Sequence, residues 1–434
     1  MSTSAPPVGQ EDSPTGGLRI RTVPIDPDQL PAGGDLLALL PDDAPASWVR
    51  QGEGLVGWGV AARVRTAGPT RFADAAKWWS ELIARAEVDD PVGEPGSGPV
   101  CFGSFAFADE PGHSVLVLPR VVVGRRGAHA WVTTVTPEAE GTGGVETTAL
   151  AAAPPASAPV VTFADGARNG EEWMAVVAEA VARINRGDLE KVVLARDLVA
   201  TADSAVDVRW PLSRLAEDYP MCWTFHVDGM FGATPEMLVR RERGLVTSRV
   251  LAGTIRRTGD DARDLALAAA LARSSKDLEE HEYAVRSVAE ALEPHCSGMN
   301  VPETPFVLHL PNVMHLATDV AGVVHDGPDA ADAVSSLRLA EALHPSAAVG
   351  GTPTPSAVDL IAEIEGMDRS RYAGPVGWMD AAGDGEWGIA LRSGEVAGDV
   401  VRLFAGCGIV GDSDPAAELA ESQAKFVPVR DALS

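Results

Sequence analysis

The sequence has few features that would crosslink the chain, anchor it to a membrane or attract it to nucleic acid. Its cysteines are far apart and form no Cys-x-x-Cys pair, which predicts reduced, mostly buried thiols of a cytoplasmic protein and excludes a zinc or disulfide framework. They are Cys101, Cys222, Cys296 and Cys407. No signal segment and no apolar run long enough to span a bilayer is visible. Lysine and arginine number 35 against 62 acidic residues, and the net charge of −27 disfavours nucleic acid and anionic membranes as partners.

Several common catalytic motifs are also missing. The chain has no P-loop, no G-x-G-x-x-G after a first strand, no G-x-S-x-G and no H-E-x-x-H. Nucleotide hydrolysis, hydride transfer and serine hydrolysis therefore lose support. If the ligand is an anion, so acidic a chain has to concentrate cations locally, from lysine, arginine or a metal ion.

The pattern of apolar residues predicts an α+β fold with mostly antiparallel strands. With 45% hydrophobic residues, the chain can form a substantial core. Residues 1–17 are rich in proline and glycine and are predicted to be a disordered tail. Residues 18–160 form a β-rich half, and residues 161–434 form a catalytic region in which helices separate clusters of strands. We expect the two halves to fold together as one unit.

One stretch, G-D-L-E-K-V-V-L-A-R-D at residues 187–197, places a lysine at the mouth of an apolar strand. An amphipathic helix over residues 172–186 precedes it, and Gly187 is suited to end that helix. Alternation along the strand puts Lys191 on the same face as Val193 and Ala195. Lys191 is then either a lysine that extends to solvent or a neutral amine that acts as a base or nucleophile.

Acidic residues on two helices predict a site for a hard cation. Glu280 lies on the face of a long helical region that also carries Asp277 and His281. Glu418 and Glu421 share a stripe with Lys425 on the last helix, which Ser413 or Asp414 can cap. Together the three glutamates would offer oxygen ligands suited to Mg²⁺. The alternative is that both are ordinary acidic surface helices.

Further stretches carry polar residues beside tight turns. Glu236 follows the bend F-G-A-T-P, and Gly253 and Thr254 form a turn after an apolar strand. Arg392 is predicted to end an apolar strand, where its guanidinium could bind a carboxylate through two hydrogen bonds. The glycines around Cys407 let the backbone approach a ligand closely.

Taken together and in this order, these stretches resemble the chorismate-utilising enzymes, which comprise isochorismate, salicylate, anthranilate and aminodeoxychorismate synthases. The resemblance is strong from Val160 to Lys425 and loose in the N-terminal half. The motifs that carry it are G-D-L-E-K-V-V-L-A-R, G-A-T-P-E, L-A-G-T, E-H, V-M-H-L-A-T, L-H-P, Y-A-G-P-V-G-W, A-L-R, A-G-C-G-I-V and E-x-x-E-x-x-x-K. The family's fold is a sandwich-like core of large β-sheets flanked by helices.

The resemblance favours the isochorismate synthase branch. Lys191 is the residue found in members that add water, whereas amination branches usually have glutamine there. Ala252 stands where aminodeoxychorismate synthases typically have lysine, and L-H-P at residues 343–345 replaces the L-F-P of salicylate synthases. A salicylate synthase, which would also release pyruvate, is the nearest alternative. An aminating subunit and a non-catalytic chorismate- or metal-binding relative are the others.

The resemblance also implies a mechanism and a set of site residues. Lys191 would remove a proton from the water that attacks ring C2, and Glu236 would donate a proton to the departing C4 hydroxyl. Mg²⁺ would be held by Glu280 and Glu421 with support from Glu418. Chorismate would be bound by Gly253, Thr254, His315, Ala348, Val349, Tyr372, Arg392, Gly406 and Lys425. We expect a cytoplasmic monomer or weak dimer with no glutaminase subunit.

This chain departs from the family pattern at two places near the site. It has P-S-A-A-V at residues 345–349, where the family commonly has P-T-P-A after L-H. This segment would line the ring pocket and could tune isomerase against lyase behaviour. Cys407 replaces the usual alanine of A-G-A-G, a small-for-small change that we expect to be harmless.

Overall fold

The computed structural model describes residues 11–12, 16–31, 35–138, 154–156, 158–309, 313–325 and 334–434. Most of the predicted disordered tail therefore lies outside the described residues. Glu11–Asp12 form a short strand that pairs with Arg63 and Val64, a pairing that the composition of this segment did not predict. The side chains of Thr254, Lys276 and Glu280 also lie outside the described part.

The described residues form strands in runs that helices interrupt. The strands are β1 (Glu11–Asp12), β2 (Leu18–Ile25), β3 (Ala46–Arg50), β4 (Glu53–Trp58), β5 (Ala62–Thr66), β6 (Glu87–Asp89), β7 (Val100–Ser104), β8 (Ser114–Leu118), β9 (Val121–Arg126), β10 (His129–Pro137), β11 (Val161–Asp165), β12 (Lys191–Ala202), β13 (Trp223–Val227), β14 (Met230–Thr234), β15 (Met237–Glu242), β16 (Leu245–Arg256), β17 (Cys296–Asn300), β18 (Phe306–His309), β19 (Val313–Val324), β20 (Gly351–Thr352), β21 (Pro375–Asp380), β22 (Gly385–Ile389), β23 (Ser393–Ala397) and β24 (Val400–Ile409).

The α-helices of the described residues lie between the groups of strands. They are α1 (Arg71–Ile83), α2 (Gly170–Asn185), α3 (Arg209–Asp218), α4 (Asp261–Leu271), α5 (Ser275–Leu292), α6 (Ser336–Ala342), α7 (Thr354–Ile364) and α8 (Pro415–Ala432). The predicted helical region 260–292 is two helices, because Ser274 caps a new one by accepting a hydrogen bond from the N–H of Asp277. The helix α7 was not predicted from the sequence.

The strands assemble into two large sheets, as the predicted α+β class requires. Sheet I has the order β1-β5-β8-β7-β21-β22-β15-β16-β19-β17, with β18 also paired to β19. Sheet II has the order β11-β12-β24-β23-β14-β13-β3-β4-β9-β10-β2-β6, with β20 also paired to β12. Among the pairs described, β2–β6 is parallel and the others are antiparallel. The prediction of large, mostly antiparallel sheets is therefore confirmed.

The sheets share a hydrophobic core, and each combines strands from both halves of the chain. Trp48 of sheet II and Phe102 and Trp387 of sheet I are fully buried in one cluster. β7 pairs with β21 in sheet I, and β3 pairs with β13 in sheet II. A second cluster joins the outer face of sheet II to α3 and α8. Within the described residues, no helix combines the length and apolarity needed to span a bilayer.

Candidate active site

Two neighbouring chain segments cross between the sheets and carry Glu236 and Arg392. Glu236 links β14 of sheet II to β15 of sheet I, and Arg392 links β22 of sheet I to β23 of sheet II. The segments are held together because the N–H of Ile389 donates to the carbonyl of Glu236 at 3.1 Å and the N–H of Ala233 donates to that of Arg392 at 3.2 Å. The point at which the sheets part therefore presents a carboxyl and a guanidinium side by side.

The prediction that Arg392 ends an apolar strand is wrong. β22 stops at Ile389, and Arg392 follows in the connection with a φ of 49°. A left-handed backbone costs a residue with a Cβ about 1–2 kcal/mol. The surrounding hydrogen bonds hold this conformation, which turns the chain into β23.

Glu236 is suited to carry a proton at neutral pH. Burial raises the pKa of Glu236 to about 7, although nearby cations oppose the shift. Those cations are Arg392, Lys191 and Lys425. Their electrostatic effect on one carboxyl means that residues from four different chain segments converge here.

Lys191 begins β12 and is partly buried, on a strand held from both sides. On one side Lys191 pairs with Thr352 of β20, and on the other β12 pairs with β24. A Cβ on Gly408 would lie 3.1 Å from the Cε of Lys191, so glycine at this position leaves room for the lysine side chain. Gly187 ends α2 at a φ of 88°, as predicted.

Tyr372 and Lys425 both approach Gly406 of β24. A Cβ on Gly406 would lie 3.0 Å from the hydroxyl oxygen of Tyr372. The Nζ of Lys425 donates to the Gly406 carbonyl at 2.7 Å. The Tyr372 ring stacks on Phe404, and burial raises the pKa of its phenol, which therefore stays protonated and able to donate.

Glu418 and Glu421 lie near Cys407, with ligand atoms of the three residues within 4.8 Å of one another. Burial raises the pKa of Glu418, and the neighbouring Glu421 and Asp414 raise it further. For Glu421, burial is outweighed by Lys425, whose Nζ lies 2.8 Å from Oε1, and the pKa is lowered. A bound cation would reduce the electrostatic repulsion between the two carboxylates.

The chemistry of this cluster fits Mg²⁺ better than a thiolate-binding metal. Burial raises the pKa of the Cys407 thiol to about 12, and its Sγ contacts the Glu418 carbonyl at 3.5 Å. Carboxylate oxygens are the ligands that a hard cation prefers, whereas a cysteine sulfur suits softer metals. Glu418 also accepts a hydrogen bond from Ser413 at 2.8 Å, which orients one of its oxygens.

His315 and Gly253 face each other on neighbouring strands. Gly253 sits at a bulge of β16 with a φ of 76°, a conformation that favours glycine, and packs against Asp277 of α5. His315 on β19 hydrogen-bonds to the backbone of Gly253. Burial, together with the charges of Arg392 and Lys425, lowers the pKa of His315 to about 4, so the ring is neutral near pH 7.

Ala348 and Val349 have different environments in the predicted pocket segment. Ala348 is exposed and lines a cavity of about 30 Å³ together with Glu236 and Ser248. Val349 is 3% exposed and belongs to the main hydrophobic core. A larger cavity of about 530 Å³ is lined by Trp48, Arg50, Trp223 and Glu386 among others, and none of the predicted site residues lines it.

Two predicted site residues lie outside what the structure describes at the level of side chains, namely Thr254 and Glu280. The backbone of Thr254 pairs with His315, and residue 280 lies on α5 next to His281. His281 is buried and lies between two strands, with Nδ1 3.2 Å from the Ala252 carbonyl and Nε2 2.8 Å from the Thr318 hydroxyl. It therefore anchors α5 against β16 and β19.

Two features of the site were not predicted from the sequence. One is Arg256, and the other is that half of the few lysines of the chain lie in the site. Arg256 ends β16 and is close enough to Glu421 to help lower its pKa. Its position two residues beyond Thr254 was the available signal, since side chains alternate along a strand. The chain contains four lysines, and two of them, Lys191 and Lys425, act on Glu236.

Comparison with known proteins places this architecture in one family. The model of the family described as "Chorismate binding enzyme" matches residues 46–434. The "Salicylate biosynthesis isochorismate synthase" of Pseudomonas aeruginosa is 35% identical over 411 residues, which cover 87% of this chain and 82% of that protein. "Isochorismate synthase MenF" of Bacillus subtilis is 37% identical over 267 residues, 61% of this chain and 55% of that protein. The match to the latter thus spans about half of its length.

Solved structures agree in fold. MenF, described as the menaquinone-specific isochorismate synthase of Escherichia coli, superposes with a TM-score of 0.77 at 25% identity, covering 97% of this chain and 95% of that one. Anthranilate synthase component I of Streptococcus pneumoniae, at 19% identity and a TM-score of 0.69, covers 89% of this chain and 92% of that one and shares the fold. With the family model matching nearly the whole chain, the protein belongs to the chorismate-binding enzymes.

Proposed function

We propose that the protein is an isochorismate synthase, which converts chorismate to isochorismate by adding water at C2 and losing the C4 hydroxyl. The observation that carries the proposal is the position of Lys191 near a partly buried glutamate, Glu236, whose pKa is about 7. A base and a proton-bearing acid in one site are what a water exchange on a ring requires. The isochorismate synthases among the relatives support the same conclusion.

In the proposed reaction, Lys191 takes a proton from a water molecule as its oxygen bonds to C2. The ring double bonds shift, the C4–O bond breaks, and Glu236 gives its proton to the leaving hydroxyl. One water enters and one leaves, and the proton gained by Lys191 returns through solvent to Glu236, so the reaction is balanced and reversible. Each of the two proton transfers is worth about 10²–10⁴ in rate.

We assign the cations of the site to the two carboxylates of chorismate. Arg392 and Tyr372 would bind the enolpyruvyl carboxylate, and Lys425 and His315 would line the same space, with Gly253, Thr254, Gly406, Ala348 and Val349 completing it. The positive side chains among them, Arg392 and Lys425, offset the net charge of −27 locally. Arg392 is suited to the role because its planar guanidinium matches a carboxylate with two parallel hydrogen bonds.

We propose that Glu421 and Glu418, with Glu280 of α5, hold Mg²⁺. When bound, the ion would supply positive charge to the ring carboxylate of chorismate. The support from this chain is the pair of crowded carboxylates of Glu418 and Glu421 beside a protonated thiol.

We further propose that water rather than ammonia is the nucleophile, which makes a glutaminase partner unnecessary. The support is Lys191, a general base able to activate water. We expect a cytoplasmic enzyme that works as a monomer or weak dimer. The relatives named for salicylate biosynthesis and for menaquinone share this step, so we propose the step and not a pathway.

Isotope tracing tests the proposal. Incubation of the protein with chorismate and Mg²⁺ in water labelled with ¹⁸O should give isochorismate that is two mass units heavier, with the label on the C2 hydroxyl. Unlabelled isochorismate would overturn water addition at C2. Labelled isochorismate that is then lost to salicylate and pyruvate would identify a salicylate synthase.

A further inference from the structure

An ion pair that is almost completely shielded from solvent lies beside β12, the strand that begins with Lys191. Glu365 follows α7, and its side chain is 1% exposed, while the side chain of Arg369 is 3% exposed. The guanidinium meets the carboxylate with two hydrogen bonds, Nε to Oε1 at 2.7 Å and Nη2 to Oε2 at 2.6 Å. Burying two charges is costly, and a hydrophobic pair often serves stability as well. The position of this pair therefore calls for a reason other than stability.

The remaining polar atoms of the pair bind the edge of β12. Arg369 Nη2 donates to the Val193 carbonyl at 2.7 Å, and Glu365 Oε2 accepts from the Ala195 N–H at 2.7 Å. This edge lies between β20, which pairs with Lys191 and Val192, and β11, which pairs with β12 from Leu198 onwards. At Val193 and Ala195, the two side chains thus make the hydrogen bonds to β12 that a neighbouring strand would otherwise make.

The pair also contacts two other segments that carry predicted site residues. Arg369 Nη1 donates to the Val349 carbonyl at 3.0 Å, next to Ala348. The Arg369 carbonyl accepts from the Tyr372 N–H at 2.9 Å. One ion pair thereby links the backbone of the Lys191 strand, the pocket segment and the turn that carries Tyr372.

A residue of the N-terminal half completes the arrangement. The guanidinium of Arg369 lies over the Phe107 ring, 4.2 Å from its centre. Phe107 is fixed in turn, because its carbonyl contacts His344 Nε2 at 2.9 Å and its N–H donates to the Ser370 carbonyl at 3.0 Å. A cation against an aromatic face is attracted by the ring, most strongly where water is excluded.

We propose that Glu365 and Arg369 are positioning residues, supported by Phe107. They fix the position of Lys191 relative to Tyr372 and to the pocket segment, residues 345–349. The inference rests on the proposed function, since Lys191 is the base of that reaction. Neither residue of the pair touches the reacting atoms. Their effect passes through the Val193 and Ala195 backbone, and an error of about 1 Å in the placement of a catalytic group can cost about 100-fold in rate.

The test substitutes Arg369→Lys, which keeps the charge but replaces the planar fork by a single ammonium that cannot make all the contacts. We expect kcat to fall about 10- to 100-fold while KM stays within about threefold, because the hydrogen bond from the Tyr372 N–H to the backbone carbonyl of residue 369 is kept, whereas the side-chain hydrogen bonds to β12 are weakened. Arg209→Lys is the matched control: Arg209 forms a two-bonded pair with Asp207 and binds the Leu40 carbonyl at the start of α3. It should lower the melting temperature and leave kcat unchanged.

A second measurement does not depend on activity. Hydrogen exchange of the Ala195 amide, whose N–H donates to Glu365, should be faster in Arg369→Lys than in the wild type or in Arg209→Lys. If Arg369→Lys does not fold, Glu365→Gln, which keeps the shape of the side chain, is measured in its place with the same expectation.

Unchanged exchange or an unchanged kcat in the folded variant would overturn the proposal, as would an equal loss of kcat in the control. A rise in KM alone would overturn it as well. A wild-type protein that makes no isochorismate refutes the proposed function, whereas the exchange rates still decide whether the pair holds β12.

Discussion

The ammonium of Lys425 lies 2.8 Å from the carboxylate of Glu421, one turn earlier on α8, and 2.7 Å from the carbonyl of Gly406. The same lysine acts on Glu236 and His315, so its charge extends across the site. Glu421 is therefore ionised. Its carboxylate pairs with Lys425 and is also a proposed ligand of the metal ion. Lys425 connects the proposed metal centre to the proposed acid.

Removal of metal should stop the reaction. Treatment with EDTA is expected to abolish turnover, and added Mg²⁺ should restore it. Glu421→Ala should raise the Mg²⁺ concentration needed for half-maximal rate about 10- to 100-fold, the effect of losing one charge-assisted contact. Glu81→Ala, on the exposed face of α1, is the control and should leave the requirement unchanged. Full activity in metal-free buffer would refute the metal assignment.

Cys407→Ala should leave the Mg²⁺ requirement within about twofold of the wild type, because a buried protonated thiol does not bind a hard cation. The thiol should also resist alkylation at pH 8, since burial raises its pKa to about 12. The measurements are metal titration of the rate and mass spectrometry after iodoacetamide treatment. Rapid alkylation of Cys407 in the folded protein would contradict this environment.

Lys191→Ala should lower kcat about 10²–10⁴-fold, because the water then lacks its base. The fold should persist, since only a partly buried side chain at a strand end is shortened. The measurements are the rate of chorismate consumption and the circular dichroism spectrum. Lys77→Ala is the control: Lys77 is 73% exposed on α1, and its removal should change neither. Near-normal turnover in Lys191→Ala would remove the assigned role.

Glu236 should impose a pH dependence on both rate and stability. The forward rate should fall as pH rises through about 7, because Glu236 must be protonated to serve as the acid. Its pKa is above the ordinary value of 4.5, so between these values the folded state holds a proton that the unfolded state has lost. This contribution to stability is complete below about pH 4.5 and is lost as pH rises to about 7.

Glu236→Gln separates the two effects. It should lose turnover about 10²–10⁴-fold and yet be more stable than the wild type at pH 8, because no carboxylate is then buried. Urea denaturation of both proteins at pH 5 and pH 8 measures the difference. A wild-type protein that is at least as stable as the variant at pH 8 would contradict the burial of this carboxyl.

The N-terminal half should be required for folding. We propose that residues 18–160 and 161–434 form one unit, because β7 and β3 each pair with a strand of the other half. A fragment of residues 161–434 would expose the edges of β21 and β13 along with apolar residues such as Trp387. We expect it to be insoluble or to lack a cooperative unfolding transition. A soluble fragment with a sharp transition would show that the two halves are separate domains.

The sequence contained the local features of the site but not the contacts between distant segments. Gly187 and Lys191 could be placed because a helix, a glycine and an apolar run follow one another, and the Asp414 cap and Pro415 predicted the start of α8. The meeting of Glu236 with Arg392 depends on two crossings between sheets, which no local pattern encodes. The same holds for Glu365, whose partners on β12 are distant in sequence.

Two errors have local physical causes. The long helical region was predicted as one helix, because its apolar pattern continues across the break, although Ser274 offers a cap. Arg392 was predicted at a strand end, because A-L-R continues the apolar run beyond Ile389. A turn formed by a left-handed arginine is not predictable from residue type, since such a conformation is rare outside glycine and asparagine.

Product analysis distinguishes isochorismate synthesis from the lyase and aminating alternatives. The wild-type protein is incubated with chorismate and Mg²⁺, with and without ammonium, and the products are separated by chromatography. We predict isochorismate in both mixtures, in equilibrium with chorismate, and no release of pyruvate. Pyruvate formed in equal amount with salicylate, an aminated product in the presence of ammonium, or unchanged chorismate would contradict it.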